Sequence, residues 1–129
     1  MSIEAGVVVD LDRKPIYWHE PLDRGPTHLA DSRDLWDVLW ENRHNLSGFA
    51  HSHPGSGIPE PSGTDLTTFS AVELGLGIRL FWWITSADRY ILARWEGPGP
   101  YDYTIFSPRE SLRYTWIDEL RLRSQQRGQ

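Results

Sequence analysis

Residues 48–65 read GFAHSHPGSGIPEPSGTD. The first part predicts a strand: small and apolar residues lead into His51-Ser52-His53, and Pro54 ends it because proline cannot donate to a sheet ladder. The middle, PGSGIPEP at 54–61, is a loop by its proline and glycine content. The last part predicts the start of a helix. Ser62 is followed three residues later by Asp65, so a hydroxyl can cap the first turn and a carboxylate meets the positive end of the helix dipole. In a strand, residues i and i+2 share a face, so His51 and His53 present their imidazoles side by side while Ser52 points away.

The pattern extends in both directions. The helix capped by Ser62 runs to about Leu74, with Phe69, Val72 and Leu76 on its buried face. Upstream, DSRDLWDVLWENRHNL at 31–46 is an amphipathic helix capped by Asp31 or Ser32, its stripe made by Leu35, Trp36, Leu39 and Trp40. AGVVVDL at 5–11 and IYWHE at 16–20 read as a hairpin around the turn DRKP. RLFWWITS at 79–86 and RYILARWE at 89–96 are strands around Ala87-Asp88, and YDYTIF at 101–106 is the last strand. Ser107-Pro108-Arg109-Glu110 has the form of a capping box with proline at the first helical position, which predicts a C-terminal helix over 107–127. The order β-β-α-β-α-β-β-β-α describes a mixed α/β fold, and the chain, without repeats or a long linker, reads as one domain over 1–129.

Composition narrows the function. The chain has no cysteine, which removes disulfides, thiolate zinc sites and a cysteine nucleophile, and fits a cytoplasmic location. Net charge is −5, and the arginines between Arg109 and Arg127 alternate with Glu110, Asp118 and Glu119. That is a solvated helix face and not a basic nucleic-acid-binding surface. No apolar run is long enough for a membrane span, and the N-terminus lacks the layout of a signal peptide. Seven tryptophans are more than a core this small readily hides, so some exposed aromatic surface is expected.

Two imidazoles at this spacing can chelate one metal ion, and neutral imidazole suits zinc and other late first-row metals. Asp65 can fold back across the loop to add an oxygen. Three protein ligands leave a tetrahedral position open, the mark of a catalytic site. Ser62, one turn before Asp65, can face the same space. Each half of the pattern also has a plain structural explanation: paired surface histidines, and an ordinary helix cap. The ordered combination of H-x-H-P, loop and S-x-x-D is what points to a site. His19, His28 and His44 lack such spacing and read as surface or packing residues.

His51-Ser52-His53-Pro54 and Ser62-Gly63-Thr64-Asp65 together resemble the motif of the JAMM metalloproteases (the MPN-plus or JAB domain), in which a distant glutamate precedes H-[ST]-H-P, a loop and S-x-x-D. The Pro61-Ser62 pair resembles prokaryotic members. The loop 54–61 is one residue longer than is usual in the family, which a glycine-rich segment can absorb. The family's glutamate opens a strand of small and apolar residues, and Glu4-Ala5-Gly6-Val7-Val8-Val9 fits, with Glu20 and Glu41 as rivals. Members usually carry a helix before that strand, so the resemblance also implies a minimal or partner-completed domain.

The resemblance spans roughly residues 3–96, with its specific part at 51–65. It implies an MPN/JAB-like, cytidine-deaminase-like fold, a central mixed sheet flanked by helices. It implies Zn2+ held by His51, His53 and Asp65, with Glu4 as general base and Ser62 stabilising an oxyanion. The implied reaction is hydrolysis of an isopeptide or peptide bond next to the C-terminal tail of a ubiquitin-like or sulfur-carrier protein, with no covalent intermediate. Two other readings stay open: a non-catalytic interaction module of the same fold, joining a protein partner or a second copy, and another zinc-dependent hydrolysis such as deamidation.

Overall fold

The structure is a computed structural model and describes residues 4–20, 33–108 and 114–125. The element order is the one expected: β1 (Gly6–Asp10), β2 (Pro15–His19), α1 (Arg33–Glu41), β3 (Leu46–Ser52), α2 (Gly63–Leu76), β4 (Phe81–Thr85), β5 (Tyr90–Trp95), β6 (Tyr103–Phe106) and α3 (Thr115–Ser124). The strands form one six-stranded sheet in the order β2-β1-β3-β4-β5-β6. Only β3 and β4 run parallel; the other neighbours are antiparallel, so the sheet is mixed. Parallel neighbours need a crossover, and α2 is that crossover.

Strand β3 lies in the middle and is buried along its whole length. Its glycine makes the parallel pairing possible: a Cβ on Gly48 would sit 1.7 Å from the Phe81 carbonyl oxygen of β4. Val8, Phe49, Trp82, Ile84, Ile91 and Ala93 pack with Leu39 of α1 and with Phe69 and Leu76 of α2 on one face. Val7, Val9, Ala50 and Trp83 pack with Trp116, Ile117 and Leu120 of α3 on the other. Covering both faces explains why β1 and β4 read as nearly unbroken apolar runs.

The differences from the sequence reading have local causes. Helix α1 ends at Glu41 and does not reach 46, because Asn42–Asn45 turn the chain and Leu46 joins the sheet opposite Asp10. Its core contacts come from Leu35, Val38 and Leu39, while Trp36 and Trp40 stack on each other at 38% and 44% exposure. Trp36 lies over Gly75 of α2, where an added Cβ would stand 2.9 Å from its ring. The expected caps Asp31 and Ser32 lie outside the described residues. So do Arg109 and Glu110 of the expected capping box. A single helix over 107–127 is not formed: Tyr114 is extended (φ −87°, ψ 152°), and α3 begins after it at Thr115. No helix among the described residues is long and apolar enough to cross a membrane.

On α2 the buried face includes a residue that periodicity alone leaves in doubt, Glu73, 3% exposed. Its Oε1 accepts from Arg79 Nη1 (2.9 Å) and the Tyr103 hydroxyl, and its Oε2 from Leu80 N (3.0 Å) and Trp82 Nε1 (2.8 Å). Four donors saturate the carboxylate, which is what lets it stay buried. Burial, and then Glu73, push the Tyr103 hydroxyl well above its ordinary value, so it remains a donor. Removing the carboxylate strands those donors. Glu73→Ala should lower unfolding free energy by about 3–5 kcal/mol, read from urea titration of tryptophan fluorescence. Glu73→Gln should rescue little, since its amide turns a donor towards donors. A loss under about 1 kcal/mol for the alanine variant would contradict the role assigned to this carboxylate.

Candidate metal centre

Three segments converge at the end of the sheet where β3 stops. His51 is the next-to-last residue of β3, paired with Gly6 of β1 and Ile84 of β4. A Cβ on Gly6 would lie 2.2 Å from Phe49 Cζ, so the bare glycine lets the Phe49 ring lie across β1. That ring stacks beside His51 (centroids 6.4 Å, 20°), and Phe69 of α2 meets His51 edge-on. His51 is thus 5% exposed and oriented by aromatic packing. His53 lies just past the strand, and its N–H donates to the Thr85 carbonyl (2.8 Å), continuing the β3–β4 pairing by one step.

Asp65 arrives from α2. The helix start forms a reciprocal capping box: Ser62 Oγ accepts from Asp65 N (3.0 Å), and Ser62 N donates to Asp65 Oδ2 (2.9 Å). The cap therefore does more than begin a helix; it orients the carboxylate. Asp65 Oδ1 lies 3.4 Å from His51 Nε2, and Oδ2 lies 3.2 Å from His53 Nε2. The two imidazole nitrogens are 3.1 Å apart. Only one of them can carry a proton along that line, so the other turns a lone pair inwards. Burial alone would raise Asp65, but the contacts with His51 and His53, together with the Ser62 N–H, hold it well below the usual carboxylate range.

These distances test the site for a metal. Ligand bonds of roughly 2.0–2.1 Å in a tetrahedron separate ligand atoms by about 3.3 Å. The imidazole nitrogens, 3.1 Å apart, fit that edge, and the Asp65 carboxylate faces them with one oxygen towards each ring, at 3.4 Å (Oδ1 to His51) and 3.2 Å (Oδ2 to His53). One donor atom from each of His51, His53 and Asp65 lies within 4.8 Å of the others, and this is a group that can hold a metal ion. Two neutral donors and one carboxylate suit a divalent cation.

Glu4 is buried (5% exposed) two residues before the start of β1. What holds it there is Ser52, the residue between the two histidines. Ser52 Oγ accepts from Ala5 N (2.9 Å), and Ser52 N donates to the Ala5 carbonyl (3.0 Å). The middle residue of the H-S-H triplet does point away from the imidazoles, and in doing so it pins the backbone next to the glutamate. Desolvation raises the Glu4 carboxyl from 4.5 to about 7, with His53 lowering it and Asp65 raising it further. The rival glutamates lie elsewhere: Glu20 pairs with Arg123, and Glu41 is the exposed last residue of α1. His19 is buried on β2, edge-on to Phe49, and His44 is exposed. His28 lies outside the described residues. Sequence reasoning missed the role of Ser52, although the alternation of side chains along a strand already aims it at the neighbouring chain.

Comparison with protein-family models and with curated proteins finds no match for this chain.

The Glu4 shift has a consequence that needs no metal. A folded value near 7 above an unfolded 4.5 means that the folded chain binds more protons between those limits. Stability therefore falls as pH rises through that window, by about 3 kcal/mol in all. With chelator present, Glu4→Gln should be more stable than the parent at pH 8 by up to that amount. The gap should shrink on acidification and vanish below about pH 4.5. Denaturation curves with equal stabilities at pH 8 would mean that Glu4 is solvated.

Proposed function

We propose that this chain is a zinc-dependent hydrolase of the JAMM type, with the MPN/JAB-like fold that the resemblance implies. Its reaction is cleavage of an isopeptide or peptide bond beside the C-terminal tail of a ubiquitin-like or sulfur-carrier protein. The observation that carries this reading is the convergence of one donor atom each from His51, His53 and Asp65 within 4.8 Å, with a buried, desolvated Glu4 electrostatically coupled to His53 and Asp65. A purely structural cluster has no need of a second carboxyl kept out of water next to the first.

His51, His53 and Asp65 would hold the ion. When bound, zinc supplies Lewis acidity towards the scissile carbonyl and brings the ionisation of the attacking water down towards pH ~7. Glu4 takes the proton that the water loses as its oxygen bonds to the carbonyl carbon. It returns that proton to the amine as the carbon–nitrogen bond breaks. A carboxyl raised to about 7 is suited to both halves of that transfer at neutral pH. The Ser62 hydroxyl uses its oxygen lone pair for the cap, so its proton is available to the oxyanion of the tetrahedral intermediate. The chain lacks cysteine, in keeping with a route that needs no covalent intermediate.

Elemental analysis of the purified protein is the first test. One equivalent of zinc in the parent and little in His53→Ala is expected; a parent that takes up no zinc after reconstitution sinks the hydrolase reading and favours an interaction module. Given zinc, the second test is cleavage of fusions to a ubiquitin-like C-terminal tail. Glu4→Gln should lose roughly 100-fold or more in kcat while keeping its metal. Full activity in that variant would remove Glu4 from the mechanism.

A further inference from the structure

The loop between His53 and Ser62 joins two ligand-bearing segments, yet little of it is anchored by its own packing. Residues 54–58 are exposed, and of 54–60 only Pro59 is buried. Gly55 and Gly57 adopt positive φ (97° and 90°), with open space where a Cβ would stand. Such a segment has many conformations of similar energy unless something outside it selects one.

The selecting element is the β4–β5 turn. Asp88 Oδ1 accepts from Gly57 N (2.8 Å), Ser86 Oγ donates to the Gly57 carbonyl (2.5 Å), and Ala87 N donates to the Gly55 carbonyl (3.0 Å). Both polar backbone groups of Gly57 are thereby engaged by side chains about thirty positions further along the chain. The Gly57 N–H, followed by Ser86 and Arg89, holds the Asp88 carboxyl below its ordinary value, so it is ionised and a strong acceptor at neutral pH. The turn is itself fixed from the opposite face of the sheet. Arg121 of α3 donates through Nε to Thr85 Oγ1 (2.9 Å) and to the Ser86 carbonyl (3.0 Å). Thr85 also supplies the carbonyl that accepts the His53 N–H. One short turn thus holds the backbone of a ligand and the loop that follows it.

We propose that Asp88, assisted by Ser86, is a positioning residue of the metal centre: by clamping Gly57 it keeps the His53 and Asp65 segments at coordination distance before the ion arrives. This rests on the reading of His51, His53 and Asp65 as ligands. Without the clamp, the loop must be ordered at each binding event, and affinity falls by the fraction of time it spends in the competent arrangement. Asp88 contacts no ligand side chain and is exposed, so its loss leaves the core and the donor set in place.

The experiment is a zinc titration against a chromophoric chelator, with parent, Asp88→Ala and Asp88→Asn compared alongside thermal unfolding of the metal-free proteins. Asp88→Ala should bind zinc more weakly by roughly 10-fold or more, as the loop spends less of its time in the competent arrangement. Its metal-free unfolding temperature should stay at the parent value. Asp88→Asn keeps an oxygen acceptor for the Gly57 N–H and should recover most of the affinity, which a general surface-charge effect does not predict. An alanine variant that binds like the parent, or an asparagine variant as weak as alanine, overturns the clamp while leaving the metal site intact. A parent that binds no zinc overturns the metal reading, and with it any role for Asp88 there.

Discussion

A carboxylate that does not reach water organises the side of this protein that carries the candidate metal centre. Glu73 takes donors from Arg79, the Leu80 backbone, Trp82 of β4 and Tyr103 of β6. It therefore ties the C-terminal half of α2 to the segment entering β4, to a central strand and to an edge strand at once. A helix is stiff along its axis, so securing one end restricts the other. The other end carries Asp65. The distance between that aspartate and the histidines on β3 thus depends on an interaction at the far end of α2. The hydrophobic contacts of Phe69 with Trp82, stacked at 4.3 Å between ring centroids, lie along the same helix and supply the non-directional part of the adhesion.

The sheet divides the labour. The face covered by α1 and α2 carries the aromatic surroundings of His51, while the face covered by α3 braces the strand ends through Arg121. The centre sits where β1, β3 and β4 present their ends together. The antiparallel β1 brings Glu4 to that edge at its start, and β3 brings the histidines at its finish. The parallel β4 ends beside β3 and contributes Thr85. Opposed strand directions are what allow the first residues of the chain to meet residues about fifty positions later at one end of the sheet. Ser52 then locks the two together through Ala5.

Much of the local structure is legible in the amino-acid order because it arises from neighbours in sequence. Pro54 ends β3, the glycine- and proline-rich stretch makes a loop, and Ser62 with Asp65 starts α2 by bonds that span only three residues. Gly77 closes α2 in the left-handed region (φ 74°), another strictly local device. The reading failed where partners are distant. The end of α1 is set by the pairing of Leu46 with Asp10, which no local pattern contains. Of Leu35, Trp36, Leu39 and Trp40, the leucines join the core while the tryptophans stay largely exposed, a choice made by the packing of α1 and not by its own periodicity. Nothing local in the sequence marks Glu73 as buried; its four donors, from six to thirty residues away, are brought around it only by the fold.

The candidate centre divides along the same line. The sequence by itself determined the donor types and the side-by-side placement of His51 and His53, since a strand's period of two leaves no other arrangement. It determined as well that Asp65 would sit in the first turn of a helix just beyond the loop. Only the tertiary structure decided that the aspartate swings to within 3.4 Å of both imidazoles, that Glu4 is buried and not solvated, and that Ser52 and Asp88 hold the segments in place. The reason is physical: local bonds depend on spacing along the chain, whereas desolvation and convergence depend on which strands become neighbours, and that is chosen by the packing of the whole sheet.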